Sequence, residues 1–193
     1  MSVERERTVR PREIYYLPDM GGRLNAGLGK ELFQRGFALT GRETVGTFKK
    51  LRFGQQIDAV KQDLVEQFWS PGSRVIANSF GGYLFLHAQL GLALFPGRVL
   101  LLSPIIGSSV QGKTGMRFYP PRADVLKKIA QTGTFPKLCN IEVHVGEKDW
   151  QAGPEALLEF CNDAEIDVQV VPGLGHVLGS NYVGAVLDRW LDP

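Results

Sequence analysis

Cysteine is scarce. Cys139 and Cys161 are the only two in 193 residues. That excludes a disulfide scaffold and fits a reducing compartment with small buried thiols, while leaving a single bridge open. A surplus of one charge sign is also missing: 22 Lys and Arg face 20 Asp and Glu, for a formal net charge of +2. With no isolated basic block, a nucleic-acid partner is not expected. No apolar run approaches the roughly 18 residues that a membrane span needs. The longest candidate, 84–94, is interrupted by His87, Gln89 and Gly91. The first seven residues, Met-Ser-Val-Glu-Arg-Glu-Arg, have no apolar core of a secretion signal, so a cytoplasmic protein is expected. No His, Cys and carboxylate cluster has metal-ligand spacing, and no metal or cofactor is expected.

What is present describes one globular domain. Hydrophobic residues make up 44% of the chain, too many for disorder. The length suits a single core without staples. Residues 1–12 are polar and read as a flexible lead-in to a domain over 13–193. Glycine is the outlier, with 23 copies.

Strand and helix signals alternate from there on. Strands are predicted at 14–17, 37–40, 74–77, 99–102, 141–145 and 168–171, from short apolar or β-branched runs stopped by turn residues. Helical spacing is read from Leu24, Leu28 and Leu32, then over 55–69, 80–91, 122–131 and 154–162, and in a final helix carrying Val183, Val186, Leu187 and Trp190. Residues 105–120 read as a loop. Six strands alternating with helices predict an α/β three-layer sandwich around a mostly parallel sheet, because parallel strands need crossover connections. In such sheets the chemistry gathers beyond the carboxyl ends of the strands.

Three of those ends carry reactive side chains. After the third strand stands Ala77-Asn78-Ser79-Phe80-Gly81-Gly82, a strand-to-helix turn with small residues two before and two after the serine. Larger side chains would collide in so sharp a turn. After the fifth stands Gly146-Glu147-Lys148-Asp149-Trp150, and after the sixth Pro172-Gly173-Leu174-Gly175-His176. His87 and His144 lie inside a predicted helix and strand and read as structural, as do the two cysteines. Gly21-Gly22-Arg23 lacks the register of a dinucleotide fingerprint.

The serine turn resembles the nucleophile elbow of the α/β-hydrolase superfamily, with Ala77 in place of the first glycine. The resemblance spans roughly 14–191, and the chain order Ser79, Asp149, His176 is that of the superfamily. It implies the α/β-hydrolase fold without its first two strands, with sheet order second, first, third, fourth, fifth, sixth. It also implies a catalytic triad of Ser79, His176 and Asp149, with Asp149 favoured over Glu147 as the acid. The implied oxyanion hole uses the backbone N–H of Phe80 and a second donor on the 18–22 loop, Met20 or Gly21. Residues 105–120 occupy the place of a lid and are too few for a cap domain. Met116, Phe118 and Tyr119 are the candidates for a wall of the substrate pocket. The activity so implied is hydrolysis of a small ester, thioester or amide, with a small-molecule acyl substrate as partner. The alternatives are a non-catalytic binding protein on the same scaffold and acyl transfer.

Overall fold

The computed structural model describes residues 12–112, 114–138 and 140–191. The lead-in over 1–12 and the assignment of Cys139 to the core fall wholly or almost wholly outside them. Six strands form one parallel sheet: β1 (Glu13–Leu17), β2 (Ala38–Gly41), β3 (Arg74–Asn78), β4 (Arg98–Leu102), and the strands Ile141–Gly146 and Val168–Val171. Two short strands of a separate hairpin, β5 (Ser109–Val110) and β6 (Arg117–Phe118), precede the last two, which are therefore β7 and β8. The sheet order is β2-β1-β3-β4-β7-β8, with every pair parallel. This is the order that the resemblance implied.

Strand periodicity sorts the core into two layers. Alternate residues point to opposite sheet faces, so Tyr15, Leu17, Val75, Ala77, Val99, Leu101, Val143 and Val145 share one face. Four helices cover that face: α3 (Phe53–Gln67), α4 (Phe80–Gln89), α5 (Val125–Gln131) and α6 (Pro154–Asp163). Ile14, Tyr16, Ile76, Leu100 and Leu102 point the other way, against α1 (Gly27–Gln34) and α7 (Ser180–Leu191). A short helix, α2 (Gly46–Lys50), was not anticipated; it puts Phe48 into the larger layer. At five residues it is too brief to show helical periodicity. The 105–120 segment is not purely a loop either, since it holds the β5–β6 hairpin.

α4 follows β3 directly and is buried along its whole length. Its amphipathic signal is weak because both sides meet protein. His87 lies in this helix and is structural, as expected, but it is also an anomaly. It is buried against the rings of Tyr83 and Phe53, and neither ring nitrogen has a hydrogen-bond partner among the described residues. Burial, helped by the nearby Arg122 charge, pulls its pKa down from 6.5 to about 4. The fold therefore prefers neutral His87. The unfolded chain takes up the proton near pH 6.5 and the native state only near 4, so this site's share of stability is complete above 6.5, declines as pH falls towards 4 and is flat below. His87→Leu is expected to stabilise the protein by about 1–3 kcal/mol, by removing an unsatisfied buried polar group. It should also flatten the acid limb between those pH values. Urea unfolding of both proteins at pH 7 and pH 4.5 checks this; a constant difference between them would refute it.

Candidate active site

Ser79 follows β3 and precedes the first residue of α4. Its backbone is left-handed and strained, with φ 50° and ψ −114°. Its N–H donates to Leu102 O at 2.9 Å, and its carbonyl accepts from Ile105 N–H at 3.3 Å. The turn after β4 thus clamps the serine from both sides. Gly81 explains why this turn requires a residue without a side chain. A Cβ there would lie 2.0 Å from Leu17 O and 2.7 Å from Pro18 O. The elbow presses directly on the end of β1, which brings the 18–22 loop beside it.

Asp149 is fully buried on the loop after β7. Its Oδ1 accepts from the N–H groups of Gln151 and Ala152, each at 3.0 Å. His176, on the loop after β8, has its Nδ1 2.9 Å from both carboxylate oxygens. Its Nε2 lies 2.8 Å from Ser79 Oγ. Hydroxyl, imidazole and carboxylate form one continuous hydrogen-bonded chain, from three strand ends far apart in sequence. Nδ1–H donation to Asp149 leaves Nε2 free to accept the Ser79 proton, the tautomer that proton abstraction requires.

The two loops are fastened to each other. Glu147 N–H donates to Val171 O at 2.9 Å and Lys148 N–H to Leu174 O at 2.8 Å. Glu147, the competing carboxylate, does not reach the histidine; it accepts from Gly173 N–H at 2.7 Å and braces the histidine loop. Gly146 permits the close approach, because a Cβ there would stand 2.2 Å from Gly175 O and 2.5 Å from Leu174 O. Gly146→Ala must push the histidine loop outwards. Displacements of roughly 1 Å cost about 100-fold in rate at catalytic sites, and any turnover that depends on the Ser79–His176 pair is expected to fall by about that factor. Steady-state kinetics alongside a thermal melt checks it; unchanged kcat/KM would show that the loop position is unimportant.

The N–H of Phe80, at the first helical position, has no partner inside its helix. Among the described residues no hydrogen bond occupies it, nor the N–H groups of Met20 and Gly21. Gly22 N–H is already engaged, with Asp19 O at 3.0 Å and Thr44 Oγ1 at 2.9 Å.

A cavity of about 660 Å³ opens beside Ser79 and His176. It lies on the two-helix face, between α1 and the start of α7, walled by Leu28, Leu102, Leu178 and Val183 and rimmed by Met20. Met116, Phe118 and Tyr119 do not line it, which corrects the pocket wall expected from the sequence. Phe118 packs against the other layer, and Met116 and Tyr119 are exposed. Leu28 and Val183, on helices the sequence did reveal, take their place.

The remaining reactive side chains sit elsewhere. His144 projects from β7 towards α7, with Nδ1 2.8 Å from Tyr182 Oη and Nε2 2.7 Å from Glu142 Oε1. Cys161 is buried, and burial pushes its thiol up to about 12, so it is no nucleophile. Among the described residues no group of three or more His, Cys, Asp or Glu side chains is placed to hold a metal ion. No helix among them is long and apolar enough to cross a membrane.

No family model matches the sequence, and no curated protein matches it. Solved structures do. The chain is similar to a carboxylesterase of the thaumarchaeon Nitrososphaera gargenis, at 11% identity and a TM-score of 0.63 over 95% of this chain and 90% of that one. It is similar to the ydeN gene product of Bacillus subtilis, at 12% identity and a TM-score of 0.63 over 94% and 100%. A Xanthomonas campestris protein assigned to the α/β hydrolase superfamily aligns at 12% identity and a TM-score of 0.59 over 94% and 96%. At such identities the likeness is one of fold.

Proposed function

We propose that this chain, which has the α/β-hydrolase fold, is a serine hydrolase acting on a small ester, thioester or amide. The observation that carries the reading is the unbroken chain from Ser79 Oγ through His176 to buried Asp149. In the proposed reaction Ser79 Oγ attacks the acyl carbonyl while His176 Nε2 takes its proton. Asp149 holds the imidazole tautomer and stabilises the imidazolium. The N–H of Phe80, with that of Met20 or Gly21, receives the negative charge that develops on the carbonyl oxygen. Such donors contribute about 3–4 kcal/mol each to the transition state. His176 then returns the proton to the leaving group, and water repeats the sequence on the acyl-enzyme. Acyl group and leaving group share the cavity between α1 and α7, whose apolar wall suits a short or branched acyl chain.

The test is covalent. A fluorophosphonate probe is expected to modify Ser79 alone, read by mass spectrometry of the digested protein. Prior incubation with a slowly deacylating ester should reduce the labelling. Modification of a different serine, or none, would overturn the reading.

A further inference from the structure

The cavity beside Ser79 has an asymmetry of charge. Its lining includes two carboxylates, Asp19 and Glu31, and no lysine or arginine. The chain as a whole carries a net charge of +2, so the negative cavity is a local arrangement and not an echo of the bulk. Glu31 stands one helical turn after Leu28 on the same face of α1. Its neighbour Arg35 does not cancel it fully, because that guanidinium also pairs with Asp188. One cation thus serves two carboxylates. Asp19 has no ion-pair partner among the described residues, and it belongs to the loop that also carries Met20.

Two carboxylates in the lining of a groove that is about half apolar act on a substrate in one direction. An anionic group is repelled, and a cationic one is held without any rearrangement of the protein. The geometry points to a substrate that carries a positive charge, an ammonium or guanidinium group, beside its scissile acyl bond. Asp19 and Glu31 are the specificity-determining residues. This inference rests on the hydrolase reading above and adds to it the substrate's charge class. Leu28, Leu102, Leu178 and Val183 take the apolar part, while the charged part lies towards the α1 side of the cavity.

The experiment compares substrates matched in shape and different in charge, each kcat/KM being divided by the rate of the ester's own hydroxide-catalysed hydrolysis to remove differences in leaving-group and acyl reactivity. Three thiobutyrate esters share one acyl group and release a cationic, a neutral or an anionic thiol: thiocholine, 3,3-dimethylbutanethiol and 3-mercaptopropionate. A second pair puts the charge in the acyl group, as p-nitrophenyl 4-(trimethylammonio)butyrate against p-nitrophenyl 5,5-dimethylhexanoate. At low salt, kcat/KM in at least one series is expected to favour the cation over its neutral isostere by about fivefold, the order expected of nearby, partly solvated charges. The anion should be disfavoured by a similar factor. Both ratios should approach one in Asp19→Asn/Glu31→Gln, and in the wild type at high ionic strength. If the double variant does not fold, Asp19→Asn alone should shift the same ratios part of the way. Equal rates within both series, or ratios that survive in a folded variant, overturn the inference. If the neutral esters are not turned over and Ser79 is not labelled, the hydrolase reading fails separately. Binding of phenyltrimethylammonium against tert-butylbenzene then decides the charge preference alone: tighter binding of the ammonium supports it, and equal or weaker binding removes it.

Discussion

Ser79→Ala is expected to lower kcat on a short acyl ester by about 10⁶-fold, in line with the loss of a triad serine elsewhere. The substitution removes one oxygen and little else. Its backbone strain is unchanged, because alanine and serine tolerate a φ of 50° equally badly. The clamp on the elbow also survives, since Leu102 O and Ile105 N–H bond the backbone of residue 79 and not its side chain. The variant should therefore melt close to the parent, and the loss should fall on chemistry alone. Initial rates and a thermal melt measured together check this. A folded variant retaining a tenth of the parent's kcat would mean that Ser79 Oγ is not the attacking atom.

Asp149→Asn carries the second large effect, about 10⁴-fold in kcat. Here the argument concerns a tautomer. Asp149 accepts three kinds of N–H: from Gln151, from Ala152 and from His176 Nδ1. An asparagine oriented to keep the two backbone bonds through its oxygen turns its NH₂ towards the ring. That NH₂ takes the Oδ2 position, 2.9 Å from Nδ1, where an Nδ1–H would face a second donor; Nδ1 therefore accepts from it, the ring proton moves to Nε2, and Nε2 can no longer take the proton of Ser79. Geometry survives while function does not. Glu147→Gln is the matched control, because Glu147 holds only Gly173 N–H. Its cost should stay below about tenfold, that of a loosened brace. Equal losses in the two variants would show that Asp149 acts only by holding the loop in place.

The sequence made the parallel sheet legible through local signals, while its strand order came from the resemblance to the α/β-hydrolase superfamily. Each strand is a short apolar run, each crossover a helix, and right-handed connections leave few orders to choose from. Ser79, Asp149 and His176 stood out because each follows a strand, and the structure brings their side chains within hydrogen-bonding distance of one another. The cavity was not legible. Whether a loop faces the α1 and α7 side or the α3 to α6 side depends on how the chain leaves β4, and no periodicity records that. Met116, Phe118 and Tyr119 have the composition of a pocket wall, yet the hairpin pairing Ser109 with Phe118 turns Phe118 into the larger core layer. Two-residue strands give no alternation to read. The charge of the cavity was hidden for a related reason. Asp19 and Glu31 are twelve residues apart and look like ordinary surface acids until α1 folds back over the end of β1.

The chain order of the site has a consequence for synthesis. Ser79 Oγ and His176 Nε2 are joined across 97 positions, and the histidine stands just before α7, which closes the smaller core layer with Val186, Leu187, Trp190 and Leu191. A growing polypeptide emerges with Ser79 first, Asp149 later and His176 after both. Until β8 pairs with β7, the loop that carries His176 lacks the bonds from Glu147 and Lys148 that fasten it, and until α7 docks the smaller layer is incomplete. The hydrogen-bonded chain from Ser79 through His176 to Asp149 is therefore a late product of folding, closed only after β8 has joined the sheet.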